Sequence, residues 1–319
     1  MKKAILLIGI LLLAVITVAA CNDDSGTTTT TGTTTATDTA TTADTATTAD
    51  AATTDTATET VEESTFESDR IIAVFTREDG SGTRDAFVSI TGVGDDMNVE
   101  AVVENSTAGI RSAVETNPFA IGYISVGSLN DSVRAVSING VYPSDETIKD
   151  GSYELQRPLM IVVSPESYEN PLVADFIAFM LSEQGQAESA TSWTAVDSNP
   201  PTYEPSGLTG TLRVGGSTSL DPLMQRMREA YIALNPGVII EVSGGGTGTG
   251  ISQAREGVID IGMSSRDLRP GEQEGLKEVV IALDGVAVII NPSNPYTDFT
   301  IEQIRQIFTG EAIRWSEVG

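Results

Sequence analysis

Three glycine-rich loops, each set between a strand-like run and a helical one, constrain this chain more than any other feature. REDGSGTR spans residues 77–84 and follows the apolar run 71–75. GGSTSLDP spans residues 215–222 and follows Thr211, Leu212, Arg213 and Val214, while GGGTGTG, residues 244–250, follows the strand-like run 238–242. Turns that hand a strand to a helix recur in α/β lobes. They also offer chemistry: free N–H groups at a helix N-terminus attract anions, and glycine lets an oxyanion approach the backbone closely. Serine and threonine hydroxyls add neutral donors, and Arg77 adds a forked cationic one. One such loop is usually ordinary turn and cap chemistry. Three in one chain point to a site that wraps a small tetrahedral anion, phosphate first among them.

The N-terminus reads as a processing signal. Lys2 and Lys3 precede an apolar stretch over residues 4–18, and small residues lead to Cys21, the chain's single cysteine. Residues 1–20 are expected to be a signal peptide. Val18-Ala19-Ala20-Cys21 resembles the lipobox of prokaryotic lipoproteins, which predicts lipidation at Cys21; the alternative is an ordinary cleaved signal with an incidental cysteine. No other segment has the length of a membrane span. Residues 21–67 are dominated by Thr, Ala and Asp, too polar to offset the entropy of ordering, so a disordered stalk is expected. As a random coil it would span about 35–40 Å root-mean-square. These features place the protein outside the cytoplasmic membrane, held to its outer face by lipid.

The formal charge of −27 disfavours a nucleic-acid partner, which needs a basic surface. It does not exclude an anionic ligand, because remote surface charge is screened within about 8 Å at physiological salt and local donors decide. With no histidine there is no Ser-His-Asp triad and no His-ligated zinc. Lipidation of Cys21 would leave no free thiol. The glycine loops lack a P-loop's Lys-Ser/Thr and the full G-x-G-x-x-G spacing. No cofactor, metal or catalytic residue is expected, and the chain reads as a binding module, not an enzyme.

From about residue 68 onward, strand-like runs at 71–75, 121–125, 159–163, 238–242, 259–263 and 286–290 alternate with helical patterns. Residues 222–234 carry Leu223, Met227, Ala230, Tyr231 and Leu234 on one face, with Pro222 in the first turn. Leu172, Val173, Phe176, Ile177 and Met180 make a second stripe, and Thr300 with Gln303 forms a capping box ahead of Ile304, Ile307 and Phe308. Residues 184–210, with Pro200, Pro201 and Pro205, read as a long connector.

With these motifs in place the chain resembles the phosphate-binding protein of bacterial and archaeal ABC phosphate importers. Residues 215–319 are similar to the first part of that family through GGSTSLDPL, EVSGGGTGTGI, DIGMSSRDL, ALDGVAVIINP and IEQIRQIFTGEAIRWSEVG. Residues 71–186 are similar to the remainder through REDGSGTRDAF, NPFAIGYIS, RPLMIVV and MLSEQGQ. The order is inverted, since in the family WSEVG leads into the strand before REDGSGTR. A circular permutation is the simplest reading, with the connector joining the family's usual ends; a tandem fragment and pairing between chains are the alternatives. The resemblance implies an α/β, two-lobed class II periplasmic-binding-protein-like fold, circularly permuted. The crossings fall near Arg157 and Asp284, so one lobe is contiguous, residues 158–283, and the other split, residues 68–157 plus 284–319.

Matched motif to motif, the resemblance assigns Thr218, Ser219, Thr247 and Ser265 from one lobe and Arg77, Ser81, Gly82 and Thr83 from the other as phosphate ligands. Asp79 is expected to orient Arg77. The family's best-known members carry an aspartate, which accepts the proton of phosphate, where this chain has Ser265. Asp284 is a candidate substitute acceptor, or else half of a turn-forming Asp-Gly pair. Gly248 and Arg266 are further candidates, Arg266 as a donor or as a bridge to Asp267. The function implied is capture of phosphate by a monomer and delivery to an ABC permease. The alternatives are another oxyanion (sulfate or molybdate), a secreted phosphatase, or an adhesin on a stalk.

Overall fold

A computed structural model describes residues 66–318 of the chain. The signal peptide, Cys21 and nearly all of the stalk lie outside the described residues. Among the described residues no helix is long and apolar enough to cross a membrane.

Eight of the strands among the described residues form the main path of the sheet: β1 (Ala73–Arg77), β2 (Val102–Glu104), β3 (Ala120–Ser125), β4 (Gln156–Val163), β5 (Gly210–Gly216), β6 (Val238–Gly244), β7 (Ile261–Ser264) and β8 (Lys277–Ile290). They lie side by side in the order β2-β1-β3-β8-β4-β7-β5-β6. The outer strands on each side run parallel, whereas β8 is antiparallel to both β3 and β4. β8 is the longest strand and serves both halves: residues 277–285 pair with β4, and Val286–Ile290 pair with β3. Its bulge between Val280 and Ala282 marks where the ladder shifts register.

Most inner strands read as unbroken apolar runs because both faces of the sheet are covered. Along β3, Ile121 and Tyr123 enter one core while Ala120 and Ile124 enter another beneath α2 (Thr107–Thr116), the two-residue period of a strand. Two large cores are segregated along the chain. One draws on Leu159, Phe176, Tyr231, Ile261 and Ala282, and is covered by α3 (Pro171–Met180), α4 (Glu183–Ser189) and α5 (Asp221–Leu234). The other draws on Val74, Phe87, Tyr123, Val288, Phe308 and Trp315, beneath α1 (Gly82–Thr91) and α7 (Ile301–Thr309). A smaller cluster with Met160, Val162, Ile251 and Ala254 sits under α6 (Thr247–Arg255). The molecule is therefore two-lobed, one lobe around Tyr231 and one around Trp315, with β4 and β8 running between them.

The expected strands and helices are present within a few residues, and the Thr300/Gln303 capping box forms as read. Two segments differ. The connector is not all loop, because its first turn and a half is α4, capped by Ser182. β8 extends back to Lys277, well before the expected strand at 286–290.

Candidate anion site

The three glycine loops meet where the lobes face each other. Ser81 caps α1 by accepting a hydrogen bond from Arg84 N (3.3 Å). Gly82 then opens the helix at a point of close approach, since a Cβ there would collide with Thr247 Oγ1 and come within 2.7 Å of Ser265 Oγ. Thr247 begins α6 directly after Gly246, whose φ of 85° is in the left-handed region that glycine adopts freely. Thr218 and Ser219 lie just before α5, in whose first turn Pro222 sits.

Hydroxyls from both lobes interlock there. Thr83 Oγ1 is 2.7 Å from Ser219 Oγ, and Thr247 Oγ1 is 3.4 Å from Ser265 Oγ while accepting from Ser265 N (3.2 Å). Ser81, Thr83, Ser219, Thr247 and Ser265 are all buried. Arg77 is buried with them and donates to Thr218 Oγ1 (3.2 Å) and to Glu104 O (3.1 Å). Its backbone N–H donates to Tyr123 OH (3.2 Å), which also bonds Thr76 Oγ1 (2.7 Å), so a core tyrosine fixes the start of the loop. Burial pushes the Tyr123 hydroxyl up to about 12. The eight residues assigned from the motifs thus fall in one inter-lobe cluster, all buried but Thr218, which is half-buried. The arrangement gathers several hydroxyl donors beside Arg77, whose fork is shared among Glu78, Glu104 O, Thr107 and Thr218, and among the described residues of the cluster no nucleophile is paired with a base.

Four expectations change. Asp79 does not orient Arg77: it points to solvent and pairs with Arg84 (2.6 Å). Glu78 takes that role, with both oxygens 2.8 Å from Arg77 nitrogens. Asp284 is no turn residue and has little acceptor capacity left. It lies inside β8, fully buried, accepting from Arg157 (2.8 and 3.1 Å) and Ser125 Oγ (3.0 Å). Gly248 N donates to Gly80 O across the lobes (3.0 Å), so that amide is already engaged. Four of the five N–H groups of Arg266 are engaged, by Asp85 (2.7 Å), Glu272 (2.6 and 3.0 Å) and Asp267 O (2.8 Å). Its charge partners are thus Asp85 and Glu272, with only the backbone of Asp267. Burial pushes the Glu272 carboxyl up, but the bonds from Arg266 and Arg269 N outweigh it and hold it below its usual range.

Two residues of the cluster carry no glycine signal. Thr107 opens α2 behind the Ser106 cap; its N–H donates to Thr218 Oγ1 (3.3 Å), and its hydroxyl lies 3.2 Å from Ser219 Oγ. A Ser-Thr pair ahead of the Ile110/Val114 stripe was its only trace. Arg157, on β4, reaches Thr83 Oγ1 (2.8 Å) and Ser265 O (3.2 Å). A lone arginine leading an apolar strand run was the signal for it, since a buried charge needs a partner.

The model of the PBP superfamily domain matches residues 63–184 and 198–319. The phosphate-binding protein PstS 2 of Streptococcus pneumoniae serotype 4 is 42% identical over 257 residues, covering 77% of this chain and 87% of that protein. The phosphate-binding protein PstS of Bacillus subtilis is 36% identical over only 115 residues, 34% of this chain and 38% of that protein. A crystal structure of a phosphate ABC transporter phosphate-binding protein from S. pneumoniae TIGR4 superposes with a TM-score of 0.65 at 40% identity, over 78% of this chain and all of that one. With glycine loops, hydroxyl cluster and relatives in agreement, the chain belongs to the phosphate-binding protein family of the PBP superfamily.

Proposed function

We infer that this protein captures inorganic phosphate between its two lobes outside the cytoplasmic membrane and delivers it to an ABC permease. The observation that carries this is the buried cluster of Thr83, Ser219, Thr247 and Ser265 beside Arg77, drawn from both lobes, in a chain whose relatives are named as phosphate-binding proteins. The ligand residues proposed are Thr218, Ser219, Thr247, Ser265, Arg77, Ser81, Gly82 and Thr83. Isothermal calorimetry on the purified protein tests it: one phosphate per chain is expected, and no heat at millimolar phosphate overturns it. Arg77→Ala removes the charge-assisted donor and is expected to weaken phosphate by about a hundredfold or more. An unchanged Kd would remove Arg77 from the site.

The division proposed is residues 158–283 for one lobe and 68–157 plus 284–319 for the other, in circularly permuted order. In support, the cores segregate along those lines, and residues near 68–72 pair with residues near 313–316: Ile72 N donates to Ile313 O (3.0 Å) and Ser316 N to Ser68 O (2.7 Å). A third-length match to the B. subtilis protein beside a nearly full-length match to the pneumococcal one fits a chain that shares its order of halves with the latter only. A monomer is part of this reading, and light scattering on the purified protein tests it. The lipid anchor at Cys21 belongs to the same reading, and mass spectrometry of the mature N-terminus tests it.

A second oxyanion is favoured by one observation. The acceptor positions of Asp284 are largely occupied, and by the resemblance Ser265 stands where other members carry a carboxylate. Sulfate competition in the same calorimeter measures how far discrimination has relaxed.

A further inference from the structure

We infer that Arg157 is a positioning residue of the anion site: anchored by Asp284 across the two strands that run between the lobes, it forces the Thr83 hydroxyl to offer its proton to the ligand. This rests on the anion-binding reading above. A guanidinium only donates, so Thr83 Oγ1, 2.8 Å from Arg157 Nη1, must accept from it. A hydroxyl that accepts from an obligate donor turns its own proton away from that donor; whichever of Thr83 Oγ1 and Ser219 Oγ, 2.7 Å apart, donates to the other, the pair keeps one proton for the interior of the cluster. Two other threonines are polarised by the same logic. Thr218 Oγ1 accepts from Arg77 Nη2 and Thr107 N, and Thr247 Oγ1 accepts from Ser265 N. The cluster therefore presents protons inward, which suits the acceptor-only oxygens of an ionised tetrahedral anion.

Arg157 differs from the other two polarising groups in where it is held. It is the direct cross-strand partner of Asp284, with β4 supplying the cation and β8 the anion. Its Nη1 also donates to Ser265 O, so one side chain touches a hydroxyl of the Trp315 lobe and a carbonyl of the Tyr231 lobe. Burial disfavours the charge of Arg157, and the Asp284 carboxylate opposes that shift. Behind Asp284 the direction of donation continues: Trp193 Nε1 donates to Ser125 Oγ (3.3 Å), which leaves the Ser125 proton for Asp284 Oδ1 (3.0 Å). The bonds from Trp193 through Ser125, Asp284 and Arg157 to Thr83 thus have fixed donors, and Arg157 is the step that reaches the ligand residues.

The test separates this role from simple neutralisation of a buried carboxylate. Phosphate Kd by calorimetry and Tm are measured for Arg157→Met, for the double variant Arg157→Met/Asp284→Asn, and for Thr83→Val in the wild-type and double-variant backgrounds. The single variant is expected to lose both Tm and affinity. In the double variant Tm recovers most of its loss while phosphate stays about tenfold weaker than wild type. Thr83→Val, costing about tenfold in the wild type, is expected to cost less than about threefold there, because the positioned proton is already lost. Wild-type affinity in the double variant overturns the proposal, as does an equal Thr83→Val penalty in both backgrounds. Should the methionine variants fail to fold, Arg157→Lys keeps the charge but not the fork. Weakened phosphate at unchanged Tm then supports the role, and unchanged Kd overturns it. If the unaltered protein takes up no phosphate, the anion-binding reading itself fails, which the variants alone do not produce.

Discussion

Two sets of ion pairs sit where the lobes meet, one within the crossing strands and one between the lobes, and they use the same residue types in opposite settings. At the crossing strands, Arg157 and Asp284 are fully sequestered and form an isolated couple of one cation and one anion. At the rim, Asp85 on α1 meets Arg266 and Arg269, each at 2.7 Å, and Arg266 also meets Glu272 at 2.6 Å. That rim group borders a cavity of about 460 Å³ and includes half-exposed Arg269. The interior pair has no spare partner, so loss of either charge leaves the other stranded in a dry site. At the rim two cations share two anions next to water, and any one of them is replaceable. Resemblance in chemistry thus says little about energetic weight; redundancy and hydration set it.

The comparison breaks most sharply at Asp284. Asp284→Ala strands Arg157 and is expected to destabilise the fold by about 3–5 kcal/mol, read as a large fall in Tm. A loss of under about 1 kcal/mol would place the crossing pair on a par with the rim. The next effect is alkaline. Folding raises the Tyr123 hydroxyl from its ordinary value of 10.0 to about 12, so the folded state keeps a proton that the unfolded chain releases. The stability involved is intact below pH 10 and is lost as pH rises through 12, amounting to about 2–3 kcal/mol. Denaturation midpoints of the wild type and Tyr123→Phe between pH 9 and 12 measure it; parallel pH profiles would assign the alkaline loss elsewhere. The smallest effect is at the rim. Asp85→Asn leaves Arg266 with Glu272 and is expected to cost about 1 kcal/mol or less, shrinking as salt is raised. A salt-independent loss of several kcal/mol would make the rim behave like the interior.

What the sequence disclosed follows the same division between local and distant causes. Gly82, Thr83, Thr218, Ser219 and Thr247 were legible because their chemistry coincides with a backbone demand, namely a turn that ends a strand and starts a helix. Ser265 came through a motif. Arg157 shows in the sequence only as a charge in want of a partner, not as a site residue, because that partner is Asp284, far away in sequence and met only across the β4–β8 ladder. Asp284 was misread as a turn former or proton acceptor for the mirror-image reason. The glycine after it permits close packing inside a strand, where a Cβ would come within 2.9 Å of Val126 Cγ2, and makes no turn. The swap of Asp79 for Glu78 depends on which neighbouring carboxylate the Arg77 loop turns inward, and the order of residues does not specify that. The first half of β8 mixes exposed Lys277 and Glu278 with apolar residues, which hid a strand long enough to serve both lobes.

Phe66, at the threshold of the described residues, packs on Phe119, Trp315 and Tyr296 with ring centroids 5.3, 5.9 and 6.4 Å apart. All four rings sit in the Trp315 lobe, and none is shared with its neighbour. Whatever pulls on the chain ahead of residue 66 therefore hauls on a single body. That load enters through an aromatic nest on one side of the molecule, to which the Tyr231 lobe contributes no ring.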